Sequence, residues 1–240
     1  MPQQQPDVHD RSNGRIFKIT YGETKTTRVD LQKESDDQLV TLLLDKHEWL
    51  SRHARRILEE RAAAGKLDPK VSDELHINLG LRGLTMTARY ADQQHYSVSS
   101  SEGQLRSLWA LHVIGGLNEG DILRLLESKN PYVCAWAIQL ACENGQPSEK
   151  IVQAFGELAH SDASPTVRLY LATAAQRIAP AQRWDIVAAL HQHGEDAADH
   201  NLPLMDWYAL EPMATADLHR TLAIGVDSKL PGRWNSPPVG

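Results

Sequence analysis

Cysteine is almost missing from this chain: Cys134 and Cys142 are the only two among 240 residues. If both lie on one helix, eight positions at about 1.5 Å rise separate them by roughly 12 Å. That is too far for a bridge between them, so both are expected to be small buried hydrophobes. No apolar run approaches the roughly 20 residues that span a bilayer. The start, Met1-Pro2-Gln3-Gln4-Gln5-Pro6, lacks the basic-then-apolar order of a signal peptide. Positive charge is not in excess either: 25 Lys and Arg against 31 Asp and Glu give a formal charge of -6, which repels a phosphate backbone and argues against nucleic acid. No serine sits in a Gly-x-Ser-x-Gly elbow and no glycine-rich phosphate loop follows a strand, so nucleophilic and nucleotide chemistry have no support.

Helical pattern fills the chain from about residue 35 to 227. Residues 1–31 read as an N-terminal extension, 32–227 as a helical repeat domain, and 228–240 as a flexible tail. Within the extension, Gly14 to Gly22 alternates like a strand bounded by glycines. Ser35 is placed to cap a first helix, with Asp36 and Asp37 in its first turn. A longer segment from Pro69 to Tyr90 carries Gly80 and Gly83, which mark a kink or a break. Pro131 and Pro165 each open a helix, where the missing N–H costs nothing.

Those two prolines lie 34 residues apart, in Asn130-Pro131-Tyr132-Val133 and Ser164-Pro165-Thr166-Val167. Such a period belongs to stacked helix pairs. At about 100° per residue, Val133, Trp136, Ala137, Leu140 and Ala141 share one broad face, while Ile138 and Cys142 fall opposite. A helix that is apolar on most sides needs neighbours before and behind it. Val167, Tyr170, Leu171, Ala174 and Ala175 repeat the arrangement, and Leu50, His53, Ala54, Ile57 and Leu58 match it near the start. The tetratricopeptide pattern is absent, and proline followed two positions later by valine points to HEAT-like repeats. The fold expected is all-α, a HEAT-like α-solenoid of about five helical hairpins preceded by one short β-strand.

Three stretches carry a family resemblance. They are Asp45-Lys46-His47-Glu48-Trp49-Leu50-Ser51-Arg52-His53-Ala54, Leu105-Arg106-Ser107-Leu108-Trp109-Ala110-Leu111, and Asn201-Leu202-Pro203-Leu204-Met205-Asp206-Trp207-Tyr208-Ala209-Leu210-Glu211-Pro212. Over roughly residues 7 to 230 the chain resembles the HEAT-repeat region of bacterial membrane-bound dehydrogenases, also called haem-binding HEAT-repeat proteins. In that family the region lies between a sorbosone-dehydrogenase-like β-propeller and a c-type cytochrome domain. The stretch His9 to Ile19 resembles the propeller's closing strand. The resemblance implies a linker module with protein partners and an extracytoplasmic location. The rest of the propeller is missing, and without Cys-x-x-Cys-His no haem can attach covalently here, so no cofactor, catalytic or haem-ligating residue carries over.

The candidate interaction surface is Arg52, Arg106, Trp109, Trp136, Arg168 and Tyr170. Most tryptophans should be core, with a minority lining the concave face where solenoids bind partners. The arginines are either charged anchors there or ties between helices, the use that favours their fork. His191, His193 and His200 with Glu195, Asp196 and Asp199 have metal-ligand chemistry, but nothing fixes a geometry, and a solvated loop is expected. His112 lies on an apolar helix and is expected to be a hydrogen-bonded core histidine. The functional expectation is a monomeric, non-catalytic scaffold or protein-interaction domain. The alternative is a direct contribution to a haem-dependent sugar or alcohol dehydrogenase.

Overall fold

A computed structural model describes residues 19–22, 29–82, 95–143 and 145–230. The chain divides into two units, Met1–Asp30 and Leu31–Gly240. The strand expected over residues 14–22 is corrected where it can be followed. Residues 14–18 lie outside the described ones, and Ile19 to Gly22 is irregular, with Ile19 and Tyr21 exposed. A single strand has no second backbone to bond, so nothing holds it extended.

Among the described residues of the second unit, all the regular secondary structure is helical. Its helices are α1 (Asp36–Leu43), α2 (Glu48–Ala63), α3 (Lys70–Asn78), α4 (Ser101–Val113), α5 (Glu119–Leu126), α6 (Pro131–Ala141), α7 (Glu149–Ser161), α8 (Pro165–Ala175), α9 (Trp184–Leu190), α10 (Leu202–Leu210) and α11 (Leu218–Asp227). No strand occurs among the described residues; one isolated bridge joins Asp45 to His95. No described helix is long and apolar enough to cross a membrane.

Local chemistry sets the helix ends. Ser35 and Asn118 form capping boxes with Gln38 and Asp121, each satisfying two backbone donors that the helix cannot. Asn130 and Ser164 cap α6 and α8, and Pro131 and Pro165 take the first helical position. The segment expected to be helical from Pro69 to Tyr90 stops instead at Asn78. Gly80 adopts φ +72° there. The Gly80 N–H bonds Ile77 O and the Leu81 N–H bonds Ile77's neighbour His76 at its carbonyl, a Schellman closure. The glycine therefore ends the helix rather than kinking it. At the far end, the tail expected to be free from 228 is anchored at its start: Lys229 N–H bonds His191 O at 2.9 Å and Leu230 is buried.

Consecutive helices pack as pairs: α1 with α2, α3 with α4, α5 with α6, α7 with α8 and α9 with α10. The second helices of the pairs also touch in succession, α2 to α4, α4 to α6, α6 to α8 and α8 to α10. Helix α6 is thus covered by α4, α5 and α8, which is why Val133, Cys134, Ala135, Ala137 and Ile138 are all sealed. One continuous core runs from Leu31 to Met213. Cys134 and Cys142 are free thiols within it. Burial pushes their pKa values up to about 12 and about 11.

Candidate functional site

The succession of α4, α6 and α8 places one aromatic from each helix side by side. The ring centroids of Trp109 and Trp136 lie 5.0 Å apart, edge to face at 75°. Those of Trp136 and Tyr170 are 6.4 Å apart. All three side chains are half-buried, packed against the core on one side and reaching the surface on the other. Edge-to-face pairs of this kind add about 0.5–1.5 kcal/mol beyond area burial. The same row is a rigid, partly wet apolar surface.

Beside it runs an open groove of about 710 Å³ between α2, α4 and α6. Trp109, Trp136, Leu105 and Leu140 supply its apolar lining, and Arg52, Arg55, Arg106, His112, Glu48, Glu102 and Glu143 its polar and charged lining. Of the six residues the sequence nominated, Arg52, Arg106, Trp109 and Trp136 line this groove. Tyr170 continues the aromatic row beyond it.

The arginines differ sharply in their use. Arg106 is only 6 % exposed. It donates to Leu43 O at 3.1 Å, to Asp45 O and to Glu48, and its guanidinium lies over the Tyr96 ring. It pins the α1–α2 turn to α4 while forming one wall of the groove. Arg52 is exposed and pairs with Glu48 one turn earlier at 3.2 Å. Both forks therefore meet on one carboxylate. Arg168 is 2 % exposed and does not reach the surface at all. It binds Asp196 through two bonds and Asp162 O through a third, at 2.9 Å. For Arg106 and Arg168 the inter-helix tie is the role observed.

His112 departs from expectation. It is not in the core but at the groove, where Nε2 lies 2.6 Å from Glu143 Oε2. The acidic loop after α9 is committed to its own fold. His191 is buried, and burial lowers its pKa while its Nδ1 donates to Val187 O. His193 bridges Glu195 and Ala159 O, and that bond to His193 holds Glu195 low. Asp199 is held low by the backbone N–H groups of Leu202 and Asn201. Among the described residues no three metal-ligand side chains converge.

Arg55 was not among the nominated residues, and it is central to the groove. Its guanidinium sits 5.5 Å from the Trp109 ring centroid. Desolvation first, then the positive charge of Arg52, lowers its pKa. The Trp109 Nε1 beside it is buried without an acceptor. The sequence holds a hint, since Arg52 and Arg55 are three apart and share a helix face. Only the packing of α2 on α4 puts the second of them over a tryptophan. No family model, curated protein or solved structure matches the chain.

Proposed function

We propose that this chain is a non-catalytic scaffold, a HEAT-like α-solenoid whose successive second helices present a face for protein partners. In this reading it is the linker module of a dehydrogenase–cytochrome c type protein, holding a propeller and a cytochrome at fixed spacing. The observation that carries the interaction role is the row Trp109–Trp136–Tyr170, one aromatic per consecutive helix, half-buried and reaching the surface. Large, rigid aromatics in a row give contact area at low entropic cost, the composition enriched where proteins bind. The pairwise and successive contacts of five helix pairs support the solenoid. The family placement rests on the three sequence stretches alone.

The test is assembly. The purified chain is mixed with propeller and cytochrome modules of a family member and sized by light scattering. A complex that forms with the native chain and is lost with Trp136→Ala and Tyr170→Ala, at unchanged circular dichroism, supports the reading. Turnover by the chain alone, or a Soret band after incubation with haem, overturns it.

A further inference from the structure

We infer that the groove between α2, α4 and α6 binds a carboxylate side chain carried on an extended segment of a protein partner, with Arg55 receiving the charge. The inference rests on the reading of this side as an interaction face and names the chemistry it selects.

Arg55 is half-buried on the groove wall. Among the described residues it has no hydrogen bond or ion pair; its one specific contact is the face of Trp109. Glu59, one turn on, and Glu48 attract it from a distance, and neither forms an ion pair with it. Arg52 and Arg106 both converge on Glu48, and Glu143 is taken by His112. A guanidinium held over an indole by its charge spends no N–H donor on that contact, and its fork can meet a carboxylate with two bonds. A partly desolvated cation with no directly bonded acid is costly, and an incoming anion reduces that cost.

The surroundings choose among anions. Glu102 and Glu143 line the same groove, so a doubly charged phosphate meets more repulsion than a single carboxylate. They also choose among carriers. The groove is an open trough crossing three helices rather than an enclosed pocket, whereas small molecules are held in sites that bury most of their surface. Apolar side chains on either side of the acid would lie on Trp109 and Trp136.

The experiment uses the full chain and an array of fluorescein-labelled, amidated hexapeptides. Each has one Glu or Asp between apolar residues, with matched Gln or Asn and phosphoserine versions. Anisotropy gives the affinities. The expected result is binding of acid peptides roughly tenfold or more tighter than their amide counterparts. Arg55→Gln should erase that difference. Arg55→Lys, which keeps the charge and loses the fork, should fall between. Arg56→Gln, next door and paired with Glu60, should change nothing. Matched circular dichroism and melting curves confirm that each variant folds.

Equal binding of acid and amide peptides overturns the inference. So does a preference for acid that survives Arg55→Gln, tightest binding by the phosphoserine version, or no acid peptide bound at millimolar concentration. The two readings fail separately. Apolar peptides that bind without acid preference and are lost in Trp136→Ala keep the face and remove the carboxylate. Acid-dependent binding indifferent to Trp136→Ala and Tyr170→Ala keeps Arg55 and removes the face.

Discussion

Arg168 on α8 grips Asp196 with two parallel bonds, Nε to Oδ2 at 2.6 Å and Nη2 to Oδ1 at 2.5 Å, and both side chains are sealed from water. The hydrogen bond to Asp196 raises the arginine's pKa further. The pair ties α8 to the Gly194–Ala198 turn, on which α10 also rests. Removing one member strands a buried charge, which typically costs about 3–5 kcal/mol. Arg168→Ala should therefore lower the unfolding free energy extrapolated from urea titrations by an amount in that range. Arg168→Met combined with Asp196→Leu should recover much of the loss, because neither charge is then left behind. A single variant as stable as the native chain would show that the tie contributes nothing.

Gly103 in the first turn of α4 allows a close approach that no other residue can make. A Cβ there would lie 2.1 Å from the Ser97 carbonyl oxygen. That carbonyl cannot swing away, because it accepts from both Ser100 N–H at 3.0 Å and Ser100 Oγ at 2.8 Å. Gly103→Ala should cost about 1–3 kcal/mol or more, as overpacking does. Gly156, within α7, is the control. Nothing lies within 4 Å of its added Cβ, so Gly156→Ala should raise stability by about 0.5–1 kcal/mol through helix propensity. Thermal melts of the two variants should move in opposite directions.

The two glycines also mark what a sequence discloses. Several helix starts were legible, because capping is local: Ser35, Pro131 and Pro165 act within one turn of themselves. The all-helical class followed from the helical apolar pattern that fills the chain from about residue 35 to 227. The strand expected near Ile16 to Tyr21 failed in its described part, because alternation signals a strand only when a partner exists. Fates set by contacts distant in sequence stayed hidden. Arg106 finds Leu43 across 63 positions, and Arg168 finds Asp196 across 28. No local pattern distinguishes such ties from surface anchors. Trp136 and Tyr170 were matched by helical register and Trp109 was nominated as one of the recurring tryptophans; the packing of successive helices brings their rings together. Arg55 was missed because its meaning comes from Trp109 on another helix.

Cys134 and Cys142 should be inert while the chain is folded. The thiolate is the reacting species, and burial holds both pKa values far above neutral, to about 12 and about 11. The Cys134 thiol also donates to Leu126 O at 3.4 Å. At pH 8, Ellman's reagent should find no rapidly reacting thiol in native buffer and two in denaturing urea. Fast labelling of either in the native chain would mean that the α6 region opens far more readily than its burial implies.

Asp206 gives the pH dependence its sign. It lies on α10, is 1 % exposed, and its Oδ1 has no partner. Burial first, then the charge of Asp196, pushes its pKa from 3.8 up to about 7, against the pull of Arg168. Between those values the folded chain holds a proton that the unfolded chain releases. The folded state therefore binds more protons, and stability falls as pH rises from about 4 to about 7, then levels off. At about 1.4 kcal/mol per pH unit, the full effect is on the order of 4 kcal/mol. Asp206→Asn keeps the shape and cannot ionise. Its advantage over the native chain should already be about a third of the full effect at pH 5, grow through pH 6 and 7, and level off near pH 8. Urea titrations of both proteins at those four values measure the difference directly, and other titrating groups cancel in it. Parallel pH profiles for the two proteins would mean that Asp206 is ionised in the fold at neutral pH, with its charge balanced by the nearby Arg168.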